Sequence, residues 1–468
     1  MFDVCVCGTG PAGLTVAHRL ASRGMRVAVF EGGGLEITQE TQGLYEGKIV
    51  GFPYFRLDRA RLRYFGGTSN HWAGYTRPLD PRDFETLEYH QLNEWPIGKK
   101  ELDPYVTDTE AILELSSAKK RVSVEWIGTE DALQPPTPYR VRPVRFGKKY
   151  ISQVKTSELL NVYLNANLVD INLSANYKAV TGMLFRSFGR HEPFLVQARY
   201  FILCLGGLEN PRALLNANKQ LPKGIGNDTD QVGRYFCDHL SGSLGSAFFD
   251  APLTSTHFYL AASQDLTAGK CLPFQLEVKP IRPRASDLCY DEVPYRTPLA
   301  RRLRRALLGE GQFCFDAKVE FYSQQANNPD SRVVLSEEKD RFGLRRLTLD
   351  WRLSELDYHT IKVAALIYGR RIAQSNVGRM QLEPWLRSSR IATTPPPPIR
   401  GSYHHMCTTR MSDDPKTGVV DRNSRVHGIE NLFLGGSSVF SSAGISNPTY
   451  TIVQLALRLG DYLNSQLR

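Results

Sequence analysis

"FDVCVCGTGPAGLTVAHRLASRGMRVAVFEGG", residues 2–33, decides the fold. An apolar run over residues 2–7 ends in Gly8-x-Gly10-x-x-Gly13. Leu14, Ala17, Leu20 and Ala21 then recur at helical spacing, and Gly24 suits the helix end. A second apolar run, Val27–Phe30, stops at Glu31. The order predicts strand, tight turn, helix, strand, the first unit of a doubly wound α/β sheet. Gly8 permits the turn, Gly10 lets the backbone approach a pyrophosphate, and Gly13 lets the helix pack on the strand. Pro11 and Ala12 complete that phosphate-binding turn. The helix N-terminus offers free N–H groups and a positive dipole end to phosphates. Glu31 can accept hydrogen bonds from ribose hydroxyls, and an acid there disfavours a 2′-phosphate, so FAD or NAD fits better than NADP. A glycine triplet alone is weak evidence. With the strand, helix, second strand and acid in place it is strong.

The chain has 468 residues, enough for two or three domains. Its 41% hydrophobic and 23% charged content is that of an ordinary globular protein. The net charge of +10 comes with no dense basic tail and no nucleic-acid motif, so it reads as a mildly basic enzyme surface. Eight cysteines without a CxxC pair fit reduced thiols in a cytoplasmic protein. Cys5 and Cys7 fall in the first strand as small hydrophobes, and no metal site is expected. No charged and apolar leader precedes that strand, and no apolar run approaches the ~18 residues of a membrane span.

Further along, "NEWPIGKKELDPYVTDTEAILEL" (93–115) reads as a turn and a helix. "ARYFILCLGGLENPRALL" (198–215) reads as a strand, a Gly-Gly turn and a helix starting near Asn210 and Pro211, at an edge of the cofactor sheet. Between 241 and 402, strand-like runs alternate with polar turns, and 354–375 has the period of an amphipathic helix, which predicts a separate, largely antiparallel sheet. "PLARRLRRALLG" (298–309) reads as a basic amphipathic surface helix, and "TTPPPPIR" (393–400) as a stiff return connector.

The segment 401–463 carries Tyr403-His404-His405, Thr408-x-Arg410-Met411, Gly418-Val419-Val420-Asp421, Ser437-Ser438-Val439-Phe440 and Asn447-Pro448-Thr449-x-Thr451. This series resembles the C-terminal signature of the glucose–methanol–choline (GMC) oxidoreductases. The blocks at 2–33, 64–78, "GGLENPR" (206–212), "VGRYFCDH" (232–239) and "NPDSRVVLS" (328–336) are similar to that family and keep its order. The resemblance implies an α/β chain with a discontinuous Rossmann-like FAD-binding domain (1–80, 148–240 and 401–468). It also implies a linking segment (81–147) and an α+β substrate domain on an antiparallel sheet (241–400). It implies FAD-dependent oxidation of an alcohol, with His404 as proton acceptor and Asn447 as the partner that orients the alcohol oxygen. An imidazole titrating near neutrality suits the first task and an uncharged amide the second. His405 is expected to serve a structural role, and Asp461 to face solvent. Cys407 stands where many relatives have glycine. Gly436, Ser437, Pro448 and Thr449 are expected beside the flavin, where the last helix would aim its N-terminus.

"YFGGTSNHWAG" (64–74) is similar to the corresponding loop of pyranose oxidases and bacterial sugar and glycoside oxidases. By that resemblance Gly67, Thr68, Asn70, His71, Trp72 and Ala73 belong to the flavin site. His71 has three roles open, a covalent histidyl link to FAD, a non-covalent contact with it, or plain packing. The implied substrate is a small-molecule alcohol, in first place a sugar or glycoside. The implied electron acceptor is oxygen or another oxidant. A lyase on the same scaffold, a non-sugar alcohol dehydrogenase and a flavin-binding protein without turnover are the rival readings.

Overall fold

The structure of the chain, a computed structural model, describes residues 2–85, 95–117, 119–121, 132–189, 192–249, 258–267, 271–281, 315–388 and 397–466. The basic segment 298–309 and residues 393–396 of the proline tract lie outside them. In chain order the elements that matter here are β1 (Phe2–Cys7), α1 (Pro11–Ala21), β2 (Val27–Phe30), α2 (Phe146–Thr156), β3 (Leu160–Tyr163), β4 (Ala198–Leu203) and α3 (Gly206–Asn216). They continue with β5 (His239–Phe249), β6 (Phe258–Ala262), β7 (Phe274–Pro280), β8 (Phe315–Gln324), α4 (Glu355–Gln374), β9 (Gly378–Leu382), β10 (Leu432–Leu434) and α5 (Thr449–Gln466).

Five strands form a parallel sheet in the order β10-β4-β1-β2-β3. Such a sheet is buried on both faces, which is why Val4–Cys7 of β1 and the whole of β2 read as continuous apolar runs rather than alternating ones. On one face Val4 and Val6 pack with Val16 and Leu20 of α1 and Ala456 and Leu459 of α5. On the other, Cys5 and Cys7 join Met183 and Phe185 from the small antiparallel sheet spanning residues 167–196. A Cβ on Gly13 would sit 1.9 Å from the Gly8 carbonyl oxygen, so only glycine lets α1 lie this close to β1. Asp461, expected to face solvent, instead pairs with Arg19 at 2.7 Å and ties α5 to α1.

β4 lies inside this sheet, between β1 and β10, rather than at its edge. The helix after it begins at Gly206, four residues before the expected start. Pro211 sits inside the helix, where it cannot donate to the Gly207 carbonyl. Thr408 donates its hydroxyl to that carbonyl at 2.5 Å instead. Asn210 reaches back to accept from the Leu205 N–H and donates to Gly435 O and Ser438 Oγ. Tertiary partners thus override the local start signal.

The second sheet is antiparallel, in the order β9-β5-β8-β7-β6, with the short strand Leu133–Gln134 at its far edge. Helix α4 covers it through Ile361, Ala364, Ala365, Tyr368 and Ile372. Ser354 and Asp357 close a capping box at its start. Arg400 exchanges two backbone hydrogen bonds with Ser241, bringing the chain back beside β5.

Candidate active site

The turns after β1, β2, β4 and β10 converge. Gly8, Glu31, Cys204 and Gly436, which follow those strand ends, line one cavity of ≈ 780 Å³. In an open α/β sheet this is where ligands bind, because loops at the carboxyl ends diverge and expose backbone N–H groups. Tyr322 of β8 reaches the same cavity from the antiparallel sheet, so both layers build its wall.

The lining fits a dinucleotide. An ideal Cβ on Gly10 would meet no atom within 4 Å, so its bare backbone faces open space. Gly67 adopts φ +58° and lies against Gly10, its ideal Cβ position 3.4 Å from the Gly10 Cα. Gly66 N–H donates to Thr9 Oγ1 at 3.1 Å, which fixes the 66–73 loop over the phosphate-binding turn. Glu31 accepts from Thr9 N, Thr9 Oγ1 and Gly33 N, leaving a lone-pair position of its carboxylate without a protein donor. Arg61 is buried on the cavity wall, with Nε and Nη1 lacking acceptors among the described residues, and His405 Nε2 is orphaned in the same way. Bare glycine backbone, a helix N-terminus, a strand-end acid and unpaired cationic donors together suit a bulky anionic ligand such as FAD.

His404 and Asn447 meet on this cavity through Tyr322. The phenol lies 3.4 Å from His404 Nδ1 and 3.3 Å from Asn447 Oδ1. A third partner, His239, faces His404 with Nδ1 to Nδ1 at 2.9 Å, and its Nε2 lies 2.9 Å from the Gly444 carbonyl oxygen. These contacts fix the proton positions. A carbonyl only accepts, so His239 Nε2 carries the hydrogen and neutral His239 Nδ1 is an acceptor. His404 must then donate from Nδ1, and the Tyr322 hydroxyl must donate to Asn447 Oδ1. Two free groups result. His404 Nε2 keeps its lone pair, with no partner among the described residues, and Asn447 Nδ2 keeps its two hydrogens.

Asp238 holds this arrangement. Its Oδ1 accepts from the backbone N–H of His404 at 3.0 Å and of His239 at 2.7 Å, and its Oδ2 accepts from Tyr54 at 2.5 Å. Asp238, His239 and His404 have metal-ligand spacing, but each of their close donor atoms is already engaged within the protein. Burial lowers the pKa of His404 below the usual 6.5, with the Asp238 charge opposing, so the imidazole is neutral at pH 7. Burial, His404 and Arg77 push His239 well down, the Gly444 contact opposing. Burial, aided by Arg61 and His404, takes His405 to about 3.

Of the residues singled out in the sequence, Gly8, Gly10, Pro11, Ala12, Glu31, Gly67, Thr68, His71, Trp72, Ala73, His404, Gly436, Ser437, Asn447, Pro448 and Thr449 line the cavity. His71 is exposed on it. Trp72 lines the wall but donates from Nε1 to Val144 O at 2.8 Å and packs on an apolar cluster around Phe65 and Phe146, anchoring the loop. Gly13 and Asn70 do not line it. Gly13 acts in packing, as above. Asn70 is turned away, donating to Phe65 O and accepting from Gly147 N, so it pins the loop to α2. Sequence reasoning missed His239, Asp238, Tyr54, Arg61 and Tyr322. The Asp-His pair ending "VGRYFCDH" was visible without a role. Tyr322 gave no signal, being one aromatic in an alternating strand.

Comparison with known proteins bears on the fold and the cofactor. Residues 327–456 match the family model described as GMC oxidoreductase, and residues 3–41 match that described as FAD binding domain. The 2-methyl-1,2-propanediol dehydrogenase of Mycolicibacterium austroafricanum is 25% identical, over 99% of this chain and 95% of its own. The paromamine 6′-oxidase of Streptomyces fradiae is 23% identical, over 98% and 90%. A formate oxidase crystal structure superposes with a TM-score of 0.61 at 15% identity, covering 99% of this chain and 98% of its own, a likeness of fold.

Proposed function

We propose that this chain is a GMC oxidoreductase that uses FAD to oxidise an alcohol carbon of a sugar, a glycoside or a sugar-bearing compound to the carbonyl. FAD, when bound, supplies the acceptor for the hydride leaving that carbon. The turn Gly8–Gly13 and the start of α1 hold its pyrophosphate, and Glu31 its ribose. The 66–73 loop with His71, together with Gly436, Ser437 and the Asn447–Thr449 start of α5, lines the cavity and would hold the ring. In this reading residues 1–80, 148–240 and 401–468 form the FAD-binding part. Residues 241–400 supply the substrate side, and 81–147 link the two.

His404 Nε2 takes the hydroxyl proton, because it is the ring nitrogen with a free lone pair and burial keeps the imidazole neutral. Asn447 Nδ2 donates to the alcohol oxygen and stabilises negative charge as it develops. His239 and Tyr322 orient these two groups. The observation that carries the reading is the meeting of His404 and Asn447 on one cavity wall through Tyr322. A sugar takes first place because the Streptomyces relative is named for oxidising paromamine at its 6′ position.

Anaerobic mixing of the purified flavoprotein with sugars, glycosides and small diols tests this. Bleaching of the flavin band by a sugar or glycoside supports the proposal. Bleaching by a small diol alone overturns the sugar and leaves alcohol oxidation. No bleaching by any alcohol overturns both.

A further inference from the structure

Cys237 and Cys407 sit in the two segments that carry the histidine pair. Cys237 comes just before Asp238 and His239, and Cys407 follows His404 by three residues. Their sulfurs are 3.0 Å apart and both residues are fully buried. The segments are already aligned. Cys237 N–H donates to Met406 O at 3.3 Å, and Met406 N–H donates to Cys237 O at 3.1 Å. Cys407 holds φ +69°, a left-handed conformation that side-chain-bearing residues rarely adopt. That conformation brings the thiol against its partner. A disulfide needs the sulfurs at about 2.05 Å, so closure asks for roughly 1 Å, within reach of small χ1 adjustments.

We propose that Cys237 and Cys407 are an oxidative cross-linking site, at which hydrogen peroxide converts the two thiols into a disulfide joining the His239 strand to the His404 segment. The step balances. One sulfur attacks the peroxide, the O–O bond breaks, and a sulfenic acid and one water form. The second thiol then attacks that sulfur, expelling a second water and forming the S–S bond. Two electrons pass from the thiols to the peroxide. Burial pushes the Cys237 thiol well up, with the touching Cys407 thiol adding to the effect, so Cys237 is held as the protonated thiol. The bond would brace the segments whose separation sets the His239–His404 contact.

The test uses the full-length flavoprotein treated with hydrogen peroxide, then alkylated in denaturant and mapped without reductant. The expected result is a peptide linking Cys237 to Cys407, two free thiols fewer than in untreated protein, and recovery of both with dithiothreitol. The cross-linked protein should also melt at a higher temperature than the reduced one. Cys237→Ser and Cys407→Ser should each lose the linked peptide. Peroxide treatment of the folded, yellow parent protein that yields no such peptide, or that carries either thiol to a sulfinic acid instead, overturns the proposal without recourse to any variant.

Discussion

His239 and His404, 165 residues apart in the chain, hold their Nδ1 atoms 2.9 Å from each other. The Gly444 carbonyl on the far side of His239 makes that contact directional, because it forces the hydrogen of His239 onto Nε2. A backbone carbonyl at residue 444 thereby sets which nitrogen of His404 keeps its lone pair.

Replacing His239 should therefore act through His404. His239→Ala leaves the Nδ1–H of His404 without its acceptor, frees the ring to turn or change tautomer, and should lower the rate of flavin reduction by about 10²-fold. Stopped-flow reduction at saturating alcohol measures this. A rate within twofold of the parent would show that the contact does not position the base.

Removing His404 itself should cost on the order of 10²–10⁴-fold in the reductive rate while FAD stays bound. Its pH profile follows from burial. The pKa is lowered from 6.5, so the base form is the major one at and above pH 6.5. Activity falls only on the acid side, as the imidazole takes up its proton below 6.5. His404→Ala should lose that acid limb, and a limb that persists would assign it elsewhere.

Tyr322→Phe removes the donor that holds Asn447 Oδ1. One hydrogen bond of about 1 kcal/mol corresponds to a loss on the order of 5- to 10-fold in kcat, with the fold unchanged. Comparing kcat and KM of the variant tests it, and an effect confined to KM would count against this orienting role.

Two glycines of the same turn should fail differently. Gly10 has an ordinary φ of −69° and open space at its Cβ position, so Gly10→Ala should fold normally yet retain FAD poorly after gel filtration. Gly13→Ala would press a methyl to 1.9 Å from the Gly8 carbonyl oxygen and should lower Tm, whether or not FAD is added. Equal melting temperatures for the two variants would contradict this division.

His71 stands exposed on the cavity in the loop over the Gly8–Gly13 turn. His71→Ala should alter the flavin absorbance spectrum. Acid precipitation of the parent protein separates the two flavin roles open to His71. Colour in the pellet means a covalent link, and colour in the supernatant means a contact. An unaltered spectrum in the variant would remove His71 from the flavin site.

The phosphate-binding half of the site was legible in sequence because local physics writes it there. A buried parallel strand must be apolar throughout, a tight turn needs glycine, and the acid must follow the second strand, so residues 2–33 carry their own evidence. His404 and Asn447 were legible through family resemblance rather than through spacing. What only the tertiary structure decided is everything that depends on which distant groups become neighbours. Asn70 turned to α2, Asp461 found Arg19, and Thr408 supplied the hydrogen that Pro211 lacks. Above all, a hydrogen-bond direction is a property of a partner. By family resemblance, the sequence by itself pointed to the imidazole at 404 and the amide at 447 as the candidate pair. Only folding, by bringing Gly444, His239 and Tyr322 against them, determined which nitrogen of each is free to act.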